Sequence, residues 1–154
     1  RFCQVTGVQT CALPILVGYQ NERYRNFGWA AARLDDVLNF IPARLAGLAM
    51  CAAAPLVGLD GVRALRVFGR DRLQHASPNA GHTEAACAGA LGVRLAGPAT
   101  YFGAMADKPF IGENVRAIEP RDIKRSIRLM FAASGVVLAA TLVLFALFAL
   151  GANV

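Results

Sequence analysis

The run Arg70-Asp71-Arg72-Leu73-Gln74-His75-Ala76-Ser77-Pro78-Asn79-Ala80-Gly81-His82-Thr83-Glu84 gathers both histidines of the chain, two arginines and two carboxylates around a tight turn. Within Ser77–Gly81, Pro78 fixes φ while Asn79 and Gly81 tolerate left-handed geometry. Such a turn can aim backbone N–H groups at an anion, with Arg70 and Arg72 beside them. The alternative is a solvated loop that caps the next helix. A second candidate set lies upstream. On a helical wheel Asp35, Asp36 and Asn39 fall together, with Arg33 and Arg44 on another stripe. Two carboxylates and an amide on one face can hold Mg²⁺, which takes oxygen ligands and keeps several waters. The same residues also fit a solvated face paired to Arg33.

No catalytic template is complete: GxxxxGK[ST], GxGxxG and GxSxG are all absent. Two histidines exclude a His-rich metal site, and a lone His75 or His82 is more often a loop residue than a general base. Cys3, Cys11, Cys51 and Cys87 form no CxxC pair and no Cys/His cluster. They indicate neither a disulfide framework nor a structural zinc site. Cys87 reads as a small packing residue.

The elements that must position these groups are apolar. The chain has 154 residues, 56% of them hydrophobic, and a net charge of +6 from 16 Lys and Arg against 10 Asp and Glu. In a soluble protein that charge would suggest nucleic acid. Beside long apolar runs it fits the cytoplasmic-side bias of membrane proteins better, so no nucleic-acid partner is expected. Residues 5–15 look like the in-frame translation of a common sequencing adapter, and residues 1–4 belong with them. Residues 1–15 are therefore read as non-native, which deprives Cys3 and Cys11 of meaning and makes the chain a fragment.

From Gly18 to Gly28 a polar, aromatic segment carries Tyr19 and Tyr24, with Trp29 just beyond, as interfacial anchors. From Ala30 the pattern is helical, with Leu34, Val37, Leu38, Ile41, Leu45 and Leu48 on one face. Pro42 should kink or interrupt this helix. Val37–Leu59 is long enough to span a bilayer or to re-enter it, with Arg44 near a membrane edge or facing the polar site. Spanning would separate the two polar clusters; re-entry would let them form one site. Val62, Leu65, Arg66 and Gly69 suggest a short helix with Arg63, Arg66 and Arg70 on its polar side.

After the turn, Thr83 or His82 is expected to cap a second helix, with Glu84 near its positive end. Gly97-Pro98 should end it, and Ala85 with Gly89, and Ala88 with Gly92, would let a neighbour approach closely. Residues 99–118 read as a turn-rich loop. Pro120 then stands at a helix start, where a first-turn proline is tolerated. Arg121, Lys124, Arg125 and Arg128 form a basic collar before Leu129–Leu150, 22 residues without a charge. That run predicts a transmembrane helix whose collar lies in the cytoplasm. The expected fold is all-α: a polytopic integral membrane protein with transmembrane and interfacial helices, a polar loop over 60–128 and a C-terminal span over 129–150.

Several blocks carry a resemblance. Gly18-Tyr-Gln-Asn-Glu-Arg-Tyr, Phe27-Gly-Trp-Ala-Ala-Ala-Arg-Leu-Asp-Asp, Asn39-Phe-Ile-Pro-Ala-Arg-Leu, Arg70-Asp-Arg and His75-Ala-Ser-Pro-Asn-Ala-Gly resemble adenosylcobinamide-phosphate synthase. So do Glu84-Ala-Ala, Ala88-Gly-Ala-Leu-Gly-Val-Arg-Leu and Lys108-Pro-Phe-Ile-Gly, in family order over nearly all of 16–116. The family's N-terminal half has no counterpart here. The resemblance implies cobalamin (vitamin B12) biosynthesis in the bacterial cell membrane, by a multi-pass enzyme with loop 60–128 on the cytoplasmic side. The reaction implied is an ATP- and Mg²⁺-dependent amide ligation. It joins (R)-1-amino-2-propanol or its phosphate to the f propionate of adenosylcobyric acid, the corrinoid substrate. Membrane lipid and other corrinoid-pathway enzymes are the further partners implied. For that chemistry Asp35, Asp36 and Glu84 are Mg²⁺-ligand or base candidates, with His75 beside them. Arg70, Arg72 and Lys108 would hold phosphates, with the Ser77–Gly81 backbone as an anion nest. Asn21, Glu22, Arg23, Asn39, Arg44 and Asn79 would supply further polar contacts. The rival expectation is a non-enzymatic membrane sensor or interaction protein on the same scaffold.

Overall fold

The computed structural model describes residues 25–75, 77–101, 104–106 and 108–151. The expectations for 1–15, for the anchors Tyr19 and Tyr24, and for Asn21, Glu22 and Arg23 lie outside them. Five α-helices are present among the described residues: α1 (Arg25–Leu38), α2 (Phe40–Ala53), α3 (Gly61–Asp71), α4 (Ala80–Leu91) and α5 (Arg121–Gly151). A 3₁₀ turn, Ala54–Val57, extends α2.

The break between α1 and α2 has a local cause. Pro42 has no N–H to offer the Leu38 carbonyl, so the ladder lapses at Asn39. Bonds on either side persist, from Asn39 N–H to the Asp35 carbonyl and from Ala43 N–H to Asn39, both at 3.0 Å. The expected interruption therefore occurs as a single-residue lapse. Farther on, Asp60 caps α3 by accepting the Arg63 N–H at 2.8 Å.

Helix α4 is the central element, with Gly81, His82, Glu84, Ala85, Ala86, Ala88, Gly89, Ala90 and Leu91 all buried. It starts at Ala80, earlier than the expected Thr83 or His82 cap. Ser77 Oγ accepts the N–H groups of Asn79 and Ala80, each at 3.4 Å, and so fixes the start. The helix also ends earlier than Gly97-Pro98, because Gly92 takes a left-handed φ of 68° and turns its N–H back to the Ala88 carbonyl at 2.9 Å. The small residues act as expected. Gly89 lies directly against α3, where an added Cβ would stand 2.7 Å from Ala64 Cα.

The all-α expectation needs correcting over the segment read as loop. β1 (Arg94–Ala96) pairs antiparallel with β4 (Phe110–Gly112), Leu95 opposite Ile111. Between them, β2 (Ala99–Tyr101) pairs with β3 (Ala104–Ala106). Three-residue strands are too short to show a two-residue alternation. Buried Ile111 still anchors the pairing against Val67, Ala85 and Ala88.

The interior is made of small side chains. Ala49, Cys51, Ala53, Ala54, Ala64, Ala86 and Ala90 meet Phe68, Leu129 and Ala133. Large aliphatic residues point the other way: Leu34, Val37, Leu38, Ile41, Leu45 and Leu48 are all exposed. On α3, Val62 and Leu65 are likewise exposed, and Ala64, Val67, Phe68 and Asp71 form the buried face. Two segments, Phe40–Val57 and Arg121–Gly151, are long and apolar enough to cross a membrane. In α5, Asp122, Leu129 and Ala133 are buried while its phenylalanines and leucines from 138 to 150 face outward.

Candidate functional site

The buried start of α4 meets the end of α1. Asn79, 2% exposed, donates from Nδ2 to the Asp36 carbonyl at 2.9 Å across 43 residues of sequence. Asn39 Nδ2 donates to the Asp35 carbonyl, also at 2.9 Å. Asp35 is buried, and burial together with the adjacent Asp36 raises its carboxyl above the ordinary value. Among the described residues no cation pairs with either carboxylate, Arg33 included, whose guanidinium lies 5.5 Å from the Trp29 ring centroid. Two neighbouring carboxylates suit a divalent ion in chemistry, the remaining ligands being water. Among the described residues no third Asp, Glu, His or Cys joins them.

On the other side of the turn, the Ser77 N–H donates to His75 Nδ1 at 2.9 Å. That fixes the tautomer: the proton of neutral His75 sits on Nε2, which lies 3.9 Å from Glu84 Oε1. Glu84 is buried, and burial raises its carboxyl while the neighbouring His75 and Lys108 oppose the rise. Gly81 permits the close fold of this turn, since a Cβ there would stand 2.4 Å from the Arg72 carbonyl oxygen. Arg72 lies over the Phe68 ring at 5.4 Å, and Arg44 bonds the Phe40 carbonyl at 2.6 Å. Both arginines act on His82, which is 1% exposed. Burial, Arg44 and Arg72 lower its imidazole below the usual value.

Asp35, Asp36, Asn39, Arg44, Arg72, His75, Ser77, Asn79, Gly81, Glu84 and Lys108 thus belong to one connected neighbourhood. Arg70 does not. Its guanidinium bonds both oxygens of Asp71, at 2.7 and 2.8 Å, and Glu113 at 3.0 Å. Asp71 in turn accepts the Gly112 N–H at 2.9 Å. Arg70 ties α3 to β4. Behind the cluster, an apolar groove of about 860 Å³ runs between α2, α4 and α5, past Thr83, Cys87 and Ser134. Burial in that wall pushes the Cys87 thiol up to about 11, as expected of a packing residue.

Comparison with known proteins gives one consistent result. The family described as CobD/Cbib protein matches residues 12–130. The chain belongs to the CobD/CbiB family. Cobalamin biosynthesis protein CobD of Pelobacter propionicus is 52% identical over 120 residues, 78% of this chain and 37% of that protein. The protein of the same name from Klebsiella pneumoniae is 55% identical over 127 residues, 82% of this chain and 40% of its own length. Cobalamin biosynthesis protein CbiB of Salmonella typhi is 52% identical over 127 residues, again 82% and 40%. The chain therefore spans about two-fifths of the length of these curated relatives. No solved structure matches.

Within this CobD/CbiB chain, sequence reasoning passed over three groups. Asp71 was visible only as the middle of Arg70-Asp71-Arg72, with nothing to mark it as buried. Asp122 binds Arg116 through two bonds of 2.8 and 2.6 Å, and Arg116 Nε reaches the Leu91 carbonyl at 3.0 Å. That joins the end of α4 to the start of α5, and no spacing rule reveals a pair six residues apart. His82, expected with Thr83 as an alternative cap, instead lies buried inside the first turn of α4.

Proposed function

We propose that this chain forms part of a membrane enzyme of cobalamin biosynthesis that makes an amide. In this reading (R)-1-amino-2-propanol or its phosphate is joined to the f propionate of adenosylcobyric acid, with ATP as co-substrate. The observation that carries the reading is the meeting of Asp36 with Asn79. It draws the Asp35–Asp36 pair and the Ser77–Gly81 turn, both within the blocks that resemble the synthase, into one neighbourhood. A carboxylate is a poor acylating agent, so its oxygen must first be phosphorylated; the amine then attacks the acyl carbon and phosphate leaves. Such a site must balance phosphoryl charge and take a proton from the ammonium. Arg72, Lys108 and the N–H groups of the turn would hold phosphoryl oxygens. Asn39, Arg44 and Asn79 would orient the substrates, and Glu84 with His75 would handle the proton. Asp35 and Asp36 would hold Mg²⁺, which when bound neutralises phosphoryl charge. Arg70 is left to its ion pair with Asp71.

In the same reading α2 and α5 lie in the bacterial cell membrane, and the collar of Arg121, Lys124, Arg125 and Arg128 sits at its cytoplasmic face. The test is complementation. Residues 16–154 are joined to the N-terminal part of a relative in a strain blocked at cobyric acid, supplied with cobyric acid and aminopropanol. Cobinamide detected by mass is the expected result, lost with Asp36→Ala or Asn79→Ala while the chimera stays inserted. No product from a stably inserted chimera would move a sensor role forward, and normal turnover in both variants would remove them from the site.

A further inference from the structure

The groove of about 860 Å³ is lined by Ala46 and Ala49 of α2, by Thr83 and Cys87 of α4, and by a long wall of α5 from Ile123 to Thr141. At 1.5 Å per residue that wall is about 27 Å long, close to the depth of a bilayer's hydrocarbon core. Its hydroxyls are already engaged. Ser126 donates to the Ile123 carbonyl at 2.9 Å, Ser134 to Met130 at 3.0 Å and Thr141 to Val137 at 2.9 Å. Thr83 does the same to Ala80 at 3.3 Å. Sites for small molecules carry a few polar groups that fix the ligand's orientation. Here every lining hydroxyl is turned to its own helix, so the groove asks for an apolar occupant that keeps contact along its length.

In a membrane, exposure alone does not identify a protein partner, because lipid tails are as apolar as leucine. Shape separates the two. The aliphatic face of Leu34, Ile41 and Leu45 projects outward and suits lipid. The groove is recessed between three helices, and small side chains at Ala46, Ala49, Ala133 and Ser134 let another backbone come close. Chain to fill it exists in the family. This chain spans 37% and 40% of the length of two relatives, so about three-fifths of a CobD/CbiB protein has no counterpart here. We propose that one membrane-crossing helix from that remainder seats in the groove along α5. It passes Thr83, the neighbour of Glu84, so the rest of the protein borders the polar cluster from this side. The proposal rests on family membership and not on the amide-forming reading.

The test uses the chimera of residues 16–154 with the N-terminal part of the Klebsiella pneumoniae relative, carrying a protease site at the junction. Photoreactive p-benzoylphenylalanine is placed in turn at Leu138 and Ile127 in the groove wall, and at Ala139, on α5 but outside the groove. All three positions are exposed, so the probe displaces no core side chain. After irradiation in membranes and cleavage at the junction, the two parts should stay covalently joined with the probe at Leu138 or Ile127. With the probe at Ala139 they should separate. Ser134→Trp, which fills the groove, should abolish the joined product. Separation at both groove positions, with the probe captured by lipid or by a second copy of the chain, would overturn the inference. So would equal joining at all three positions, or joining that Ser134→Trp leaves unchanged. Cross-linking reads position and not turnover. A joined chimera that makes no cobinamide therefore counts against the amide-forming reading alone, and product from a chimera whose parts separate overturns this inference alone.

Discussion

One chemical change, glycine to alanine inside a helix, should have opposite effects at Gly69 and Gly89. In an unencumbered helix the change stabilises by about 1 kcal/mol, because glycine loses the most backbone freedom on folding. Gly69 on α3 is such a position: it is exposed, and a Cβ there would meet nothing within 4 Å. At Gly89 the same Cβ would stand 2.7 Å from Ala64 Cα and 2.9 Å from both the Arg63 carbonyl oxygen and Val67 Cβ. Two of these three atoms are backbone, so no rotamer change relieves the contact. Restoring an ordinary separation moves α3 and α4 apart by about 0.7 Å or more, and overpacking of this kind costs about 1–3 kcal/mol. It also stretches the bond from Arg63 Nε to the Gly89 carbonyl, 2.8 Å long and worth about 1 kcal/mol. Set against the gain in propensity, Gly89→Ala should be destabilised by about 1–3 kcal/mol. Denaturant unfolding in mild micelles, followed by far-UV circular dichroism, measures both variants. A Gly89→Ala protein as stable as its parent, or a Gly69→Ala protein less stable, would refute the argument that close backbone approach holds α3 to α4.

Two further outcomes follow from buried carboxylates. Asp71→Asn should lose about 2 kcal/mol at neutral pH, since Asp71 accepts from Arg70 and the Gly112 N–H. Arg70 holds this carboxyl below its ordinary value of 3.8, so the contribution is present above that pH and fades as pH falls through the lowered value. An acid-unfolding profile unchanged by the substitution would contradict this. Glu84 carries the opposite sign. Burial raises its carboxyl above 4.5, so its contribution to stability is full below that pH and is lost as pH rises through the raised value. Glu84→Gln should therefore gain on its parent as pH rises from acid to neutral, read from unfolding midpoints across the range. A widening deficit instead would mean that His75 and Lys108 outweigh burial.

What the sequence disclosed depended on the range over which its signals act. Helix α5 was legible because an uncharged run after four basic residues needs no tertiary information, and Pro42 signalled its own break. The glycine and alanine spacing in α4 foretold a close neighbour without saying which. The strands were hidden because Arg94–Ala96 and Phe110–Gly112 are defined by each other, through pairing across a loop. In the candidate site, residue types were visible at Asp36, Asn79 and Glu84, whereas their convergence comes from the packing of α1, α3 and α4. Arg70 shows the limit most plainly: next to the turn in sequence, it points to Glu113 instead. The aliphatic face of Leu34, Leu38, Ile41 and Leu45 was correctly grouped by periodicity, which does not say whether a face looks inward or outward.

That outward face beside an alanine interior reverses the usual map of mutational tolerance. In an ordinary globular core the large aliphatic positions resist change and small exposed ones accept it. Here the exposed Leu, Ile, Val and Phe of α1, α2 and α5 touch little among the described residues, so one can replace another with small effect. Ala53, Ala54, Ala64, Ala86 and Ala90, each at most 2% exposed, leave no room even for an added methylene. A saturation library of this chain should therefore show its deepest intolerance at its smallest residues.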